Sequence, residues 1–128
     1  MADRGIAQRP RDPTFTLIPK IFYADRDVGL DLFVDGLGFK VGHQDATLTV
    51  IEREGAKAYI VQDAVFAAKD RPELAIETDR IEEIYADIAQ RRPDLLHPNG
   101  QKLTKRPWGS TEFALLDSTS VCVVFRQW

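Results

Sequence analysis

The chain has 128 residues, 44% of them apolar and 29% charged, with a formal net charge of −3. Such a length and mixture fit one domain with a packed core and exclude a globally disordered chain. The Lys and Arg residues are scattered rather than gathered into a stripe, so no nucleic-acid partner is expected, and no apolar run approaches the roughly 20 residues that cross a bilayer.

Met1 to Pro13 carries Arg, Asp and Pro without apolar periodicity and is expected to form an arm outside the core. It has no apolar stretch of a signal peptide, which points to a cytoplasmic location. Phe15 to Tyr23 (FTLIPKIFY) is rich in β-branched and aromatic residues and predicts a strand, with Pro19 at an edge or irregularity. Asp25 then caps a predicted helix reaching about Gly36, with Val28, Leu32 and Phe33 at helical spacing and glycines at its exit. Three short strands follow, Phe39 to Gln44, Thr47 to Arg53 and Lys57 to Gln62, whose short turns favour an antiparallel meander.

After a loose link, Glu73 to Thr78 predicts a strand leading into a second helix. Asp79 and Glu82 have capping-box spacing, and Ile81, Ile84, Tyr85 and Ile88 mark one apolar face. Beyond a loop with Pro93, Pro98 and Asn99-Gly100 come short strands near Lys102 to Lys105, Ser110 to Leu116 and Val121 to Arg126, with an Arg106-Pro107-Trp108-Gly109 turn between the first two. The order strand, helix, three strands therefore occurs twice, over roughly 14–66 and 72–128, and Asp25-Arg26 and Asp79-Arg80 stand at equivalent places.

Three stretches carry a resemblance. They are Pro19 to Asp25 with Leu32 to Phe39 (PKIFYAD and LFVDGLGF), Leu74 to Ile88 (LAIETDRIEEIYADI), and Arg106 to Asp117 (RPWGSTEFALLD). In order and spacing the chain resembles the glyoxalase / bleomycin-resistance / dioxygenase (vicinal oxygen chelate) superfamily, and the third stretch is similar to the Pro-Trp-Gly, Glu-Phe and Asp signature of bleomycin-resistance proteins. The resemblance implies an α+β domain over 14–128, two βαβββ modules forming a curved mixed sheet around a cleft, and a homodimer with ligand grooves shared between subunits. It does not by itself give a reaction, because one fold hosts many chemistries.

Metal-dependent members of the superfamily place His, Glu or Gln donors on several strands. Here the first-strand position falls on Ile18 and the last-strand position on Val124, leaving Glu73 as the only carboxylate. No metal, cofactor or catalytic residue is therefore expected. His97, in its Pro-rich loop, and Cys122, the single cysteine, in the apolar run VCVVF, read as packing or surface residues.

The residues expected to bind a small molecule are Trp108, Tyr59, Phe113, His43 and Glu112. Trp108, held between Pro107 and Gly109, offers a rigid stacking face. Tyr59 and Phe113 are candidates for the wall, although core packing is the commoner fate of such residues. His43 lies near a strand end. Glu112 is either a base with a pKa raised by burial or a structural anchor for backbone or a neighbouring Arg. The function expected is non-catalytic binding of a planar, antibiotic-like ligand by sequestration; the alternative is a metal-dependent lyase or dioxygenase.

Overall fold

In the computed structural model, which describes residues 15–69 and 71–128, the first strand is shorter than its composition predicts. β1 covers Lys20–Tyr23 only, because Pro19 has no N–H to offer and the residues before it pair with no strand. The expected N-terminal arm lies outside the described residues. Asp25 caps the first helix as expected, its carboxylate accepting from the Asp27 N–H at 3.0 Å. That helix, α1 (Arg26–Leu30), departs from expectation by continuing as a π-helical stretch over Asp31–Gly36, in which the Leu37 N–H reaches back to the Leu32 carbonyl at 3.0 Å.

A meander follows: β2 (Lys40–Gln44), β3 (Leu48–Arg53) and β4 (Ala56–Gln62). A single helical turn, α2 (Ala64–Ala67), occupies the expected loose link, capped by Asp63. The second unit comprises β5 (Glu73–Glu77), α3 (Ile81–Arg91), a 3₁₀ turn at Pro93–Leu95, β6 (Thr104–Lys105), β7 (Thr111–Leu116) and β8 (Cys122–Gln127). The expected Asp79/Glu82 capping box does not form. Gln127 Oε1 takes the Ile81 N–H at 2.8 Å and Thr78 Oγ1 takes that of Arg80, so the helix opens later than the sequence signal.

The eight strands form two four-stranded mixed sheets of identical topology, β1-β4-β3-β2 and β5-β8-β7-β6. In each, the first strand runs parallel to the last and the remaining pairs are antiparallel. Alternation then gives each sheet a helix side and an open side. Ile21, Tyr23, Ile51, Ala58 and Ile60 of the first sheet and Val123, Phe125, Phe113 and Leu115 of the second point inward, and together with Leu32, Phe33, Ile81 and Ile88 they make one core spanning both modules. Each fully buried aliphatic or aromatic side chain contributes roughly 1.5–3 kcal/mol relative to exposure.

Polar ties fix one module against the other. The buried Tyr23 hydroxyl donates to Asp117 Oδ2 at 2.7 Å, and Arg71 bridges the Phe22 carbonyl to Thr119. At the opposite end of the core, Arg92 gathers Asp31, Asp35 and Asp94, while Arg91 reaches the Asp35 and Gly36 carbonyls.

Candidate functional site

The open side of the second sheet carries the chemistry. Strand register sets three rows across β5, β8 and β7: Glu73, Cys122 and Leu116; Ala75, Val124 and Ala114; Glu77, Arg126 and Glu112. The small middle row lets the surface dip, and the turn at residues 97–100, tied to β7 by reciprocal backbone bonds between His97, Gly100 and Ala114, raises one wall. Gly100 is needed there because a Cβ would stand 3.0 Å from that of Ala114. The resulting pocket has a volume of ≈270 Å³.

Trp108 closes one end of it. Gly109, at φ +113, turns the chain between β6 and β7 in a conformation that a side chain would strain, and the Arg106 carbonyl receives the Gly109 N–H at 3.0 Å. The indole is 59% exposed, yet its position is fixed. Nε1–H is shared between Ser110 Oγ at 2.8 Å and Glu112 Oε2 at 3.1 Å, and the Arg106 guanidinium carbon lies 5.9 Å from the ring centroid.

Glu112, only 4% exposed, is the centre of this network. Its Oε2 also accepts from Ser110 Oγ at 2.6 Å and Arg126 Nε at 2.8 Å, and Arg106 Nε stands 3.6 Å from Oε1. Burial pushes its pKa upward, but the bonds from Ser110, Arg126 and Trp108 outweigh burial and hold it below the ordinary glutamate value. Of the two roles the sequence leaves open, the geometry carries the anchor to a neighbouring Arg: this carboxylate stays ionised and holds Trp108 and Arg126.

The sequence-derived residues divide. Trp108 and Glu112 meet directly. Phe113 borders the pocket, but its ring packs into the core: it is 2% exposed on the helix side of β7, edge-on to Tyr85 and stacked on Phe125 at 5.2 Å between centroids. Tyr59 lies on the open side of β4 in the other sheet, paired in register with Lys20 and Val50. His43 sits on edge strand β2, exposed, with Nε2 2.9 Å from Asp45 Oδ2. That contact, with the Leu48 and Thr47 N–H groups, holds Asp45 near a pKa of about 2, which makes it a turn-stabilising pair away from the pocket.

Sequence reasoning passed over Arg106, Arg126 and Ser110 and read His97 as a packing or surface residue. The period of two along β8 put Arg126 on the face of Val124, but its partner across the sheet becomes visible only with the register. His97 lines the pocket, and its Nδ1 accepts from the Asn99 N–H at 3.0 Å, which leaves the proton of a neutral ring on Nε2. Cys122 lines it too, with its thiol pushed up by burial and by neighbouring Glu73.

The residues present do not fit a divalent ion. Val124 and Ile18 present hydrocarbon, Glu112 Oε2 is committed to three donors, and among the described residues no three His, Cys, Asp or Glu side chains converge. A larger groove of ≈730 Å³ runs between the β5 edge and the Arg53–Ala56 turn. Its rim is largely self-paired: Arg80 is bidentate to Glu54, and Trp128 Nε1 donates to Glu77 at 2.9 Å.

No family model and no curated protein sequence matches the chain. Solved structures do. A glyoxalase/bleomycin resistance protein/dioxygenase from Alicyclobacillus acidocaldarius superposes with a TM-score of 0.71 at 19% identity, covering 94% of this chain and 95% of that one. A bleomycin-binding protein from Streptomyces verticillus, complexed with copper(II)-bleomycin, gives 0.67 at 20% identity over 88% and 95%. A lactoylglutathione lyase from Agrobacterium tumefaciens gives 0.68 at 11% identity over 90% and 95%. The structural neighbours are thus members of the glyoxalase/bleomycin resistance protein/dioxygenase superfamily, and the chain has their α+β fold of two modules.

Proposed function

We propose that the protein is a non-catalytic binder of a small planar or aromatic molecule, held against Trp108 on the open side of the second sheet and sequestered there, as an antibiotic would be by a resistance protein. The observation that carries this reading is the combination of an indole 59% exposed and a double anchor that keeps it from collapsing onto the sheet. A pre-set aromatic face loses little entropy when a ligand stacks on it. Copper(II)-bleomycin in the complex of the Streptomyces verticillus neighbour supports small-molecule binding as a use of this fold.

The sheet's open side is shallow, and a homodimer supplies the missing wall. The metal-dependent lyase or dioxygenase alternative asks for donors that Ile18 and Val124 do not have. The test is a titration of intrinsic tryptophan fluorescence with bleomycin-type and other planar antibiotics, with sedimentation to measure mass. Saturable change is expected, weakened by about 10-fold or more in Trp108→Ala. No response from any ligand, or an unaltered affinity in Trp108→Ala, refutes the reading, and near-stoichiometric Ni, Zn, Fe or Mn in protein purified without chelator restores the enzyme alternative.

A further inference from the structure

We infer that the Trp108 pocket selects planar aromatic ligands that carry an oxyanion, such as an aryl carboxylate, and places that anion between Arg106 and Arg126. The inference rests on the binding role proposed above and adds the chemical class of the ligand.

Two guanidiniums converge at the Trp108 end of the pocket on one carboxylate. Arg126 gives Glu112 a single bond through Nε, and its terminal nitrogens have no hydrogen-bond partner among the described residues. Arg106 makes no side-chain hydrogen bond among them: its Nε is buried without a partner, 3.6 Å from Glu112 Oε1 and too far to bond. Guanidinium is also the group best shaped to take a carboxylate through two parallel bonds.

Glu112 Oε2 is fully engaged, while its Oε1 receives no hydrogen bond among the described residues and stands 3.6 Å from Arg106 Nε. Glu112 receives Ser110, Trp108 and Arg126 on one oxygen, and Glu77, in the same row, takes the Trp128 indole N–H. His97, with its neutral-form proton on Nε2, adds another donor to the wall. The one carboxylate left over is Glu73, at the far end of the pocket, four residues along the strands and therefore roughly 13 Å from the Arg126 row. A ligand's aromatic body then lies over Ala75, Val124 and Ala114 with its edge at Trp108, its anion at the arginines and its uncharged end toward Glu73. Cations are disfavoured at the arginine end by direct repulsion.

Three isosteric probes separate the possibilities: 2-naphthoate, 2-naphthamide and 2-naphthylmethylammonium, titrated calorimetrically and by the indole N–H resonance of Trp108, assigned with Trp108→Phe. The acid is expected to bind about 10- to 100-fold tighter than the amide, in a salt-sensitive manner. Arg106→Gln and Arg126→Gln, the second titrated well below its lowered unfolding temperature with the folded state confirmed by circular dichroism, should each cut that preference by about 10-fold while sparing the amide. Equal affinities for acid and amide, or preference for the ammonium, overturn the anion assignment while leaving the binding role intact. Failure of all three probes to shift the Trp108 resonance overturns the binding role together with it.

Discussion

Replacing Glu112 with Gln removes one charge and almost no volume, which makes it a sharp test of the network around Trp108. The amide oxygen can still accept from Ser110 or Trp108, but the charge-assisted bond from Arg126 Nε is lost and both arginines are left without their anion. A hydrogen bond to a charged group contributes about 1.5–3 kcal/mol. Stranding a fully buried partner costs about 3–5 kcal/mol. Arg126 is 29% exposed and regains part of its hydration, so the lower range applies and the expected loss is about 2–3 kcal/mol. For a chain of this size each kcal/mol lowers Tm by roughly 3–5 °C, giving a fall of about 6–15 °C.

The pH dependence adds a second readout. The folded-state pKa of Glu112 lies below its ordinary 4.5, so its contribution is complete above that value and is lost as pH falls through the folded pKa. Urea midpoints for the wild type and Glu112→Gln should therefore be well separated at pH 7 and converge on acidification below about 4.5. A variant within about 0.5 kcal/mol of wild type at pH 7, or a gap that persists unchanged at pH 3, refutes the account of Glu112 as an ionised anchor.

Tyr23→Phe leaves Asp117 Oδ2 buried without its donor, and differential scanning calorimetry should register a loss of about 1.5–3 kcal/mol with the fold retained. Arg92→Lys keeps the charge but not the fork that spans Asp31, Asp35 and Asp94. Because those carboxylates are mostly exposed, urea unfolding should show a loss of only about 1 kcal/mol, shrinking in 1 M salt. Gly29→Ala drives a Cβ to within 2.5 Å of the Tyr23 ring, and thermal unfolding should fall by an amount corresponding to about 1–3 kcal/mol, a loss that Tyr23→Phe does not relieve because the contact is with ring carbons.

Much of this fold is legible in the sequence because its signals are local. Asp25 caps the first helix where a short polar acceptor precedes an apolar stripe, and Ile81 and Ile88 bury where the 3.6 period puts them. Failures occur where a distant side chain competes with a local motif. Gln127 displaces the Asp79/Glu82 box, and in the π-helical stretch after Leu30 the Leu37 N–H finds the Leu32 carbonyl, one residue further back than in an α-helix. At the site, Trp108 stood out by its own turn chemistry. Phe113 stood as a wall candidate against core packing because the aromatic character of a strand residue says nothing about which side of the sheet it takes, and the choice between base and Arg-bound anchor for Glu112 stayed open because its partner Arg126 comes from another strand.

Strand register also bears on the proposed stacking role. A strand face that offers oxygen and nitrogen donors in neighbouring rows can enclose an ion; this one offers Ala75, Val124 and Ala114 in the middle row and moves all its charge to the flanking rows. Val124, 8% exposed, is then a floor rather than a ligand, flat enough for an aromatic body and too poor in donors for a metal. The chemistry shifts to the rim, where Glu112 fixes the orientation of Trp108 and Arg126 by spending its own acceptor capacity. The terminal nitrogens of Arg126 and the side chain of Arg106 make no hydrogen bond there among the described residues, so under the proposed binding role the residue that makes the tryptophan rigid would also bias the site toward an anionic ligand.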